Sequence, residues 1–62
     1  MGYKVKEARE EKRMTQEELS KKSGVSRTTI IAIERGEKID VKASTLIKLA
    51  NALDTTVAAI FF

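Results

Sequence analysis

The stretch MTQEELSKKSGVSRTTIIAIERG, Met14 to Gly36, holds two helix starts separated by one stop. Thr15 and Glu18 have the spacing of a capping box, in which the threonine oxygen accepts a free first-turn N–H and the glutamate accepts the cap residue's own. A helix is therefore predicted to begin at Gln16. Met14 outside this cap and Leu19 inside it have the spacing of a hydrophobic staple. The device recurs downstream, with Ser26 as cap and Val25 set to pack on Ile30, although Thr29 stands where a full box has glutamate. Between the two, Gly24 supplies the stop, since glycine enters the left-handed region without a Cβ penalty. Ser23, Gly24 and Val25 are then the whole connection, and a turn this short holding a glycine is how a helix-turn-helix is written.

At 100° per residue the second helix divides into two sides. Ser26, Thr29, Ile30 and Ile33 fall in one sector, read as core. Arg27, Thr28, Ile31, Ala32 and Arg35 cover the other, with Glu34 near the boundary. An ordinary solvated face would carry Lys and Glu. This one carries groups suited to base edges: arginine bonds guanine O6 and N7 with two prongs, threonine bonds an edge or touches a methyl, and alanine or isoleucine packs on the thymine methyl. Ile31 has a second reading, as cover against a neighbouring subunit or a tolerated exposed apolar residue.

The blocks TQEELS, SGVS and ERG, with Ile30, Ile33 and then Leu46, Lys48, Leu49, Ala50, Ala52 and Leu53, resemble the Cro/repressor-type (XRE) helix-turn-helix family of phage repressors and small bacterial regulators. The resemblance covers nearly the whole chain. It implies an all-α fold, a compact five-helix bundle of the lambda repressor-like DNA-binding kind, whose third helix enters the major groove, usually from a dimer. It places Arg27, Thr28 and Ala32 on base-reading positions, with Ser26 close to bases or backbone and Ile31 on the same surface. Gln16 matches a phosphate-bonding glutamine that can brace a side chain of the reading helix, and Arg35 matches a phosphate contact. Arg9 and Glu34 match a structural ion pair. Ile31 and Ala32 stand where polar residues are frequent, so contacts there would be apolar and no target sequence carries over from relatives.

Sixty-two residues leave room for one domain, spanning 1–62, near the lower size at which a core stabilises itself. There is no Cys and no His, so disulfides, the usual zinc sites and Ser-His or Cys-His catalytic pairs are excluded; no enzyme, metal or cofactor is expected. Twelve Lys and Arg against nine Asp and Glu give +3, modest for a nucleic-acid binder. From Lys4 to Lys22 the signs alternate as on solvated faces, whereas Arg27, Arg35, Lys38 and Lys42 lie in or just beyond the reading helix as candidate phosphate clamps. For Lys38 and Lys42 plain solubility is the competing reading. The chain shows no signal peptide, and no segment nears the ~20 apolar residues of a membrane span, so a cytoplasmic setting without membrane or small-molecule partner is expected.

The remaining segments supply support. Helix 1 is predicted over about Tyr3 to Lys12, with Val5 and Ala8 inward and Arg9 able to reach Glu34. The segment from Gly36 to Lys42 reads as a loop in which Ile39 and Val41 either tuck back or meet a partner. Leu46, Leu49, Ala50 and Leu53 repeat at the spacing of one buried face, giving a helix over about Ser44 to Leu53. Thr55 or Thr56 can cap a last turn from Val57 to Phe62. After Lys48 the only charge is Asp54; Val57 and Ile60 are read as completing the core, and so apolar an end leaves Phe61 or Phe62 to bury against a second copy, with Ile60 counted alongside Phe61 and Phe62 in the homodimer interface. The competing reading folds the two Phe residues back on their own chain.

The expectation is a sequence-specific regulator of double-stranded DNA, a repressor on a palindromic operator. The alternative is a protein-interaction module, such as an antitoxin-like partner on the same fold.

Overall fold

In the computed structural model, which describes residues 3–37 and 40–61, both start signals are occupied as the sequence predicts. Thr15 Oγ1 accepts the Glu18 N–H at 3.0 Å while the Glu18 carboxylate accepts the Thr15 N–H at 2.8 Å, and helix α2 runs Gln16–Ser23. Gly24 closes it at φ 78°. Ser20 Oγ donates to the Val25 carbonyl at 2.7 Å and Ser23 Oγ accepts the Val25 N–H at 3.1 Å, so two serines hold the turn from the α2 side. Ser26 Oγ accepts the Thr29 N–H, and α3 runs Arg27–Glu34.

The supports are α1 (Val5–Glu11), α4 (Ala43–Ala52) and α5 (Val57–Ile60). α2 packs on α3 and α4, α5 on α4, and α1 on α3. Val5, Leu19, Ile30, Ile33, Leu49, Leu53 and Ile60 are the largest fully buried side chains, one or more from each helix. Met14, Ala8, Val41, Val57 and Tyr3 pack around them. Val41 thus tucks back rather than facing a partner. No helix of the described residues is long and apolar enough to cross a membrane.

Three helices end alike. After α1, α3 and α4, the residue beyond the C-cap is left-handed and the next N–H returns to a carbonyl of the last turn: Met14 to Arg9, Glu37 to Ala32, and Thr55 to Ala50. This is the Schellman pattern. Gly36 suits it at φ 74°, but Arg13 (φ 55°) and Asp54 (φ 58°) adopt the same region with a Cβ.

Both ends of the chain depart from the periodicity reading. Tyr3 is outside α1 because it pairs as an isolated antiparallel bridge with Phe61, beside a bond from the Lys4 N–H to the Ile60 carbonyl. α5 accordingly stops at Ile60, with Phe61 extended and its ring 5.4 Å from that of Tyr3. Ile60 is fully buried in its own core and presents no surface to a second copy, which corrects its assignment to a dimer interface. Phe61, half-buried against Tyr3, folds back on its own chain. Phe62, Lys38 and Ile39 lie outside the described residues.

Candidate nucleic-acid interface

The surface of α3 is laid out by what lies behind it. Ile30 and Ile33 are buried, which turns Arg27 and Thr28 fully outward and leaves Ile31 and Ala32 half-covered one turn on. Ser26 was placed by spacing on the core side. It is exposed instead, because an N-cap stands outside the helix, and its hydroxyl donates to Thr29 Oγ1 at 2.9 Å. Its proton is thus committed to the cap. Arg27 makes no hydrogen bond or ion pair with the described residues, so its guanidinium is available to a ligand.

Behind this surface lies one polar network. Glu34 on α3 takes Arg9 Nε at 2.8 Å on one oxygen, and Arg9 Nη2 at 3.1 Å with Gln16 Nε2 at 3.0 Å on the other. Arg9 Nη1 also donates to the Met14 carbonyl at 2.7 Å. One carboxylate therefore joins α1, the loop after it, the start of α2 and the end of α3. The side chains are 12% and 4% exposed, a setting in which each charge depends on the other. The hydrogen bonding that Arg9 donates to Glu34 raises its guanidinium above the ordinary value. Gln16 donates one N–H to this network, which fixes its direction while its second N–H remains for a phosphate.

These helices enclose a concavity lined by Lys6, Arg9, Thr15, Gln16, Arg27, Glu34 and Arg35. It gathers candidates drawn from different arguments: a base reader, two phosphate contacts and the ion pair. Arg35 is exposed at the C-cap of α3 and touches Glu37 only at 3.6 Å, a loose pair that a ligand can displace. Lys42 is exposed at the N-cap of α4 and is not among the residues lining the concavity. Lys6 was missed at the sequence level. The signal was its i, i+3 relation to Arg9, which puts both on one side of α1.

The helix-turn-helix profile matches residues 5–60. The chain belongs to the XRE-type helix-turn-helix family. The chain is 44% identical over 61 residues to an uncharacterized HTH-type transcriptional regulator of Methanocaldococcus jannaschii, covering 98% of this chain and 91% of that protein. It is 38% identical over 61 residues to another from Archaeoglobus fulgidus, covering 98% and 84%. Among the described residues the five helices of this XRE-type chain fit that family.

Proposed function

We propose that this chain is a sequence-specific double-stranded DNA-binding transcriptional regulator that acts as a repressor, with α3 in the major groove. The observation that carries the reading is the exposed, unpartnered Arg27 beside exposed Thr28 at the first turn of α3, where a reading helix meets base edges. Arg27, Thr28 and Ala32 read bases, with Ile31 offering its uncovered half to a methyl. Gln16 and Arg35 hold phosphates, and Lys42 adds its charge from the start of α4. The relatives described as HTH-type transcriptional regulators support the same function.

The chain acts as a homodimer on a palindromic site. Its longest extent is 25 Å, short of the about 34 Å between half-sites one turn apart, so one copy reaches one half-site. With Ile60 and Phe61 turned inward, the surface for the second copy is on α4 and α5, where Ile47 is 52% exposed and Ala58 and Ala59 are exposed. The protein-partner alternative rested on Ile31 and the Phe end. Phe61 is spent on Tyr3, which weakens it.

A binding titration against random-sequence duplex at two salt concentrations tests this reading. Binding at low salt that weakens steeply with salt supports it, and no binding at low salt overturns it.

A further inference from the structure

The formal charge lining the concavity equals the net charge of the chain. Twelve basic against nine acidic residues leave +3, and the concavity alone holds Lys6, Arg9, Arg27 and Arg35 against Glu34, which is also +3. The rest of the chain is neutral, with eight of each sign. Within the concavity Arg9 and Glu34 cancel, because both carboxylate oxygens are taken by Arg9 and Gln16. What remains is Lys6, Arg27 and Arg35, the last loosely paired at 3.6 Å with exposed Glu37, which does not line the concavity. Lys6 is exposed and has no hydrogen bond or ion pair among the described residues, although Glu10 lies one turn on. Three cations around a hollow focus a positive potential there, and the second N–H of Gln16 adds a neutral donor.

We infer that Lys6, on α1 and outside the helix-turn-helix itself, is a DNA-contacting residue that completes a seat for one backbone phosphate with Gln16 and Arg35. The inference rests on the DNA-binding reading and deepens it. Bidentate reading of a base needs a fixed arginine plane, whereas a lysine is a mobile point charge suited to a phosphate oxygen. Lys6 therefore adds affinity without sequence preference. The seat takes its phosphate from the duplex, because the reading helix begins at its edge with Arg27.

The test compares wild type, Lys6→Gln, Lys6→Arg and Lys22→Gln on a random-sequence duplex across a salt series. Lys22 on α2 is exposed, lies neither in the concavity nor on the helices given to the second copy, and its replacement makes the same change in net charge. K6Q is expected to reduce the steepness of log K against log salt by about 0.9, so that its deficit grows about eightfold for each tenfold fall in salt. K6R is expected to keep the wild-type slope, as is K22Q. Equal slopes for K6Q and K22Q, with wild type still binding, overturn the role of Lys6 and leave the DNA reading intact. A wild type that binds no duplex overturns both. A second arm adds inorganic phosphate without DNA: a rise in wild-type melting temperature that K6Q loses would make the concavity a free-anion site and overturn the inference. Lys6 is exposed, and an unchanged melting temperature verifies that K6Q is folded.

Discussion

Arg9 is the residue on which most of the architecture converges. Replacing it with Met leaves the Glu34 carboxylate, 4% exposed, without its countercharge and strips a donor from the Met14 carbonyl. A loss of about 3 kcal/mol is expected, much of the stability of a domain this small, and chemical denaturation measures it. The double variant with Glu34 also replaced by Met should recover part of that loss, because an apolar pair needs no countercharge. On the reading surface, Arg27→Ala should cost about 1 to 3 kcal/mol on the preferred site and relax selectivity at one base pair, measured by binding to a panel of single-base variants. An equal loss on preferred and random duplex would remove Arg27 from base reading. The Arg9–Glu34 pair was legible from the family resemblance. The resemblance also implied that Gln16 braces a side chain of the reading helix; which one was not legible, because 18 residues separate Gln16 from Glu34 and only the packed fold brings them within 3.0 Å.

At the scale of the helices, the ends carry the information. The capping box of α2 makes a pH-dependent contribution, because hydrogen bonds from Thr15 hold the Glu18 carboxyl below the usual glutamate value. Its folded value is depressed, so the contribution is complete above the unfolded value and is lost as the pH falls through the folded one. Glu18→Gln keeps an acceptor that does not titrate. Its melting temperature should fall less than that of wild type as the pH is lowered across this window, and equal falls would show that the box does not couple to pH. The helix C-termini give the opposite kind of test. Arg13 is left-handed at φ 55° at the end of α1, so Arg13→Gly should stabilise the fold by about 1 kcal/mol, read by thermal melting. The starts of α2, α3 and α5 were visible because Thr15, Ser26 and Thr56 each accept an N–H three residues on, whereas α1 and α4 begin at Lys4 and Lys42 without a side-chain cap. Periodicity ended α1 and α4 at Lys12 and Leu53, their C-caps, but not the geometry beyond them, because Arg13 and Asp54 are held left-handed by backbone bonds that leave no mark in residue type.

For the whole molecule, periodicity located the core of α4 and placed Leu46, Leu49, Ala50 and Leu53 inward. It misjudged the apolar end, since helical spacing cannot foresee that Phe61 leaves the helix to pair with Tyr3, 58 residues earlier in the chain. The bridge brings both ends of the described chain together and consumes surface that composition had offered to a partner. The dimer is therefore expected through α4 and α5. Ile47→Glu should reduce self-association in sedimentation and weaken binding to a two-half-site duplex while leaving the helical content of the folded chain unchanged, because Ile47 is 52% exposed and contributes little to the core. The central claim is that two copies of this surface read a defined sequence. Selection of bound duplexes from a random pool tests it most directly. The predicted result is an enriched motif of two inverted half-sites whose centres are about one helical turn apart. A bound pool with no enriched motif would contradict it.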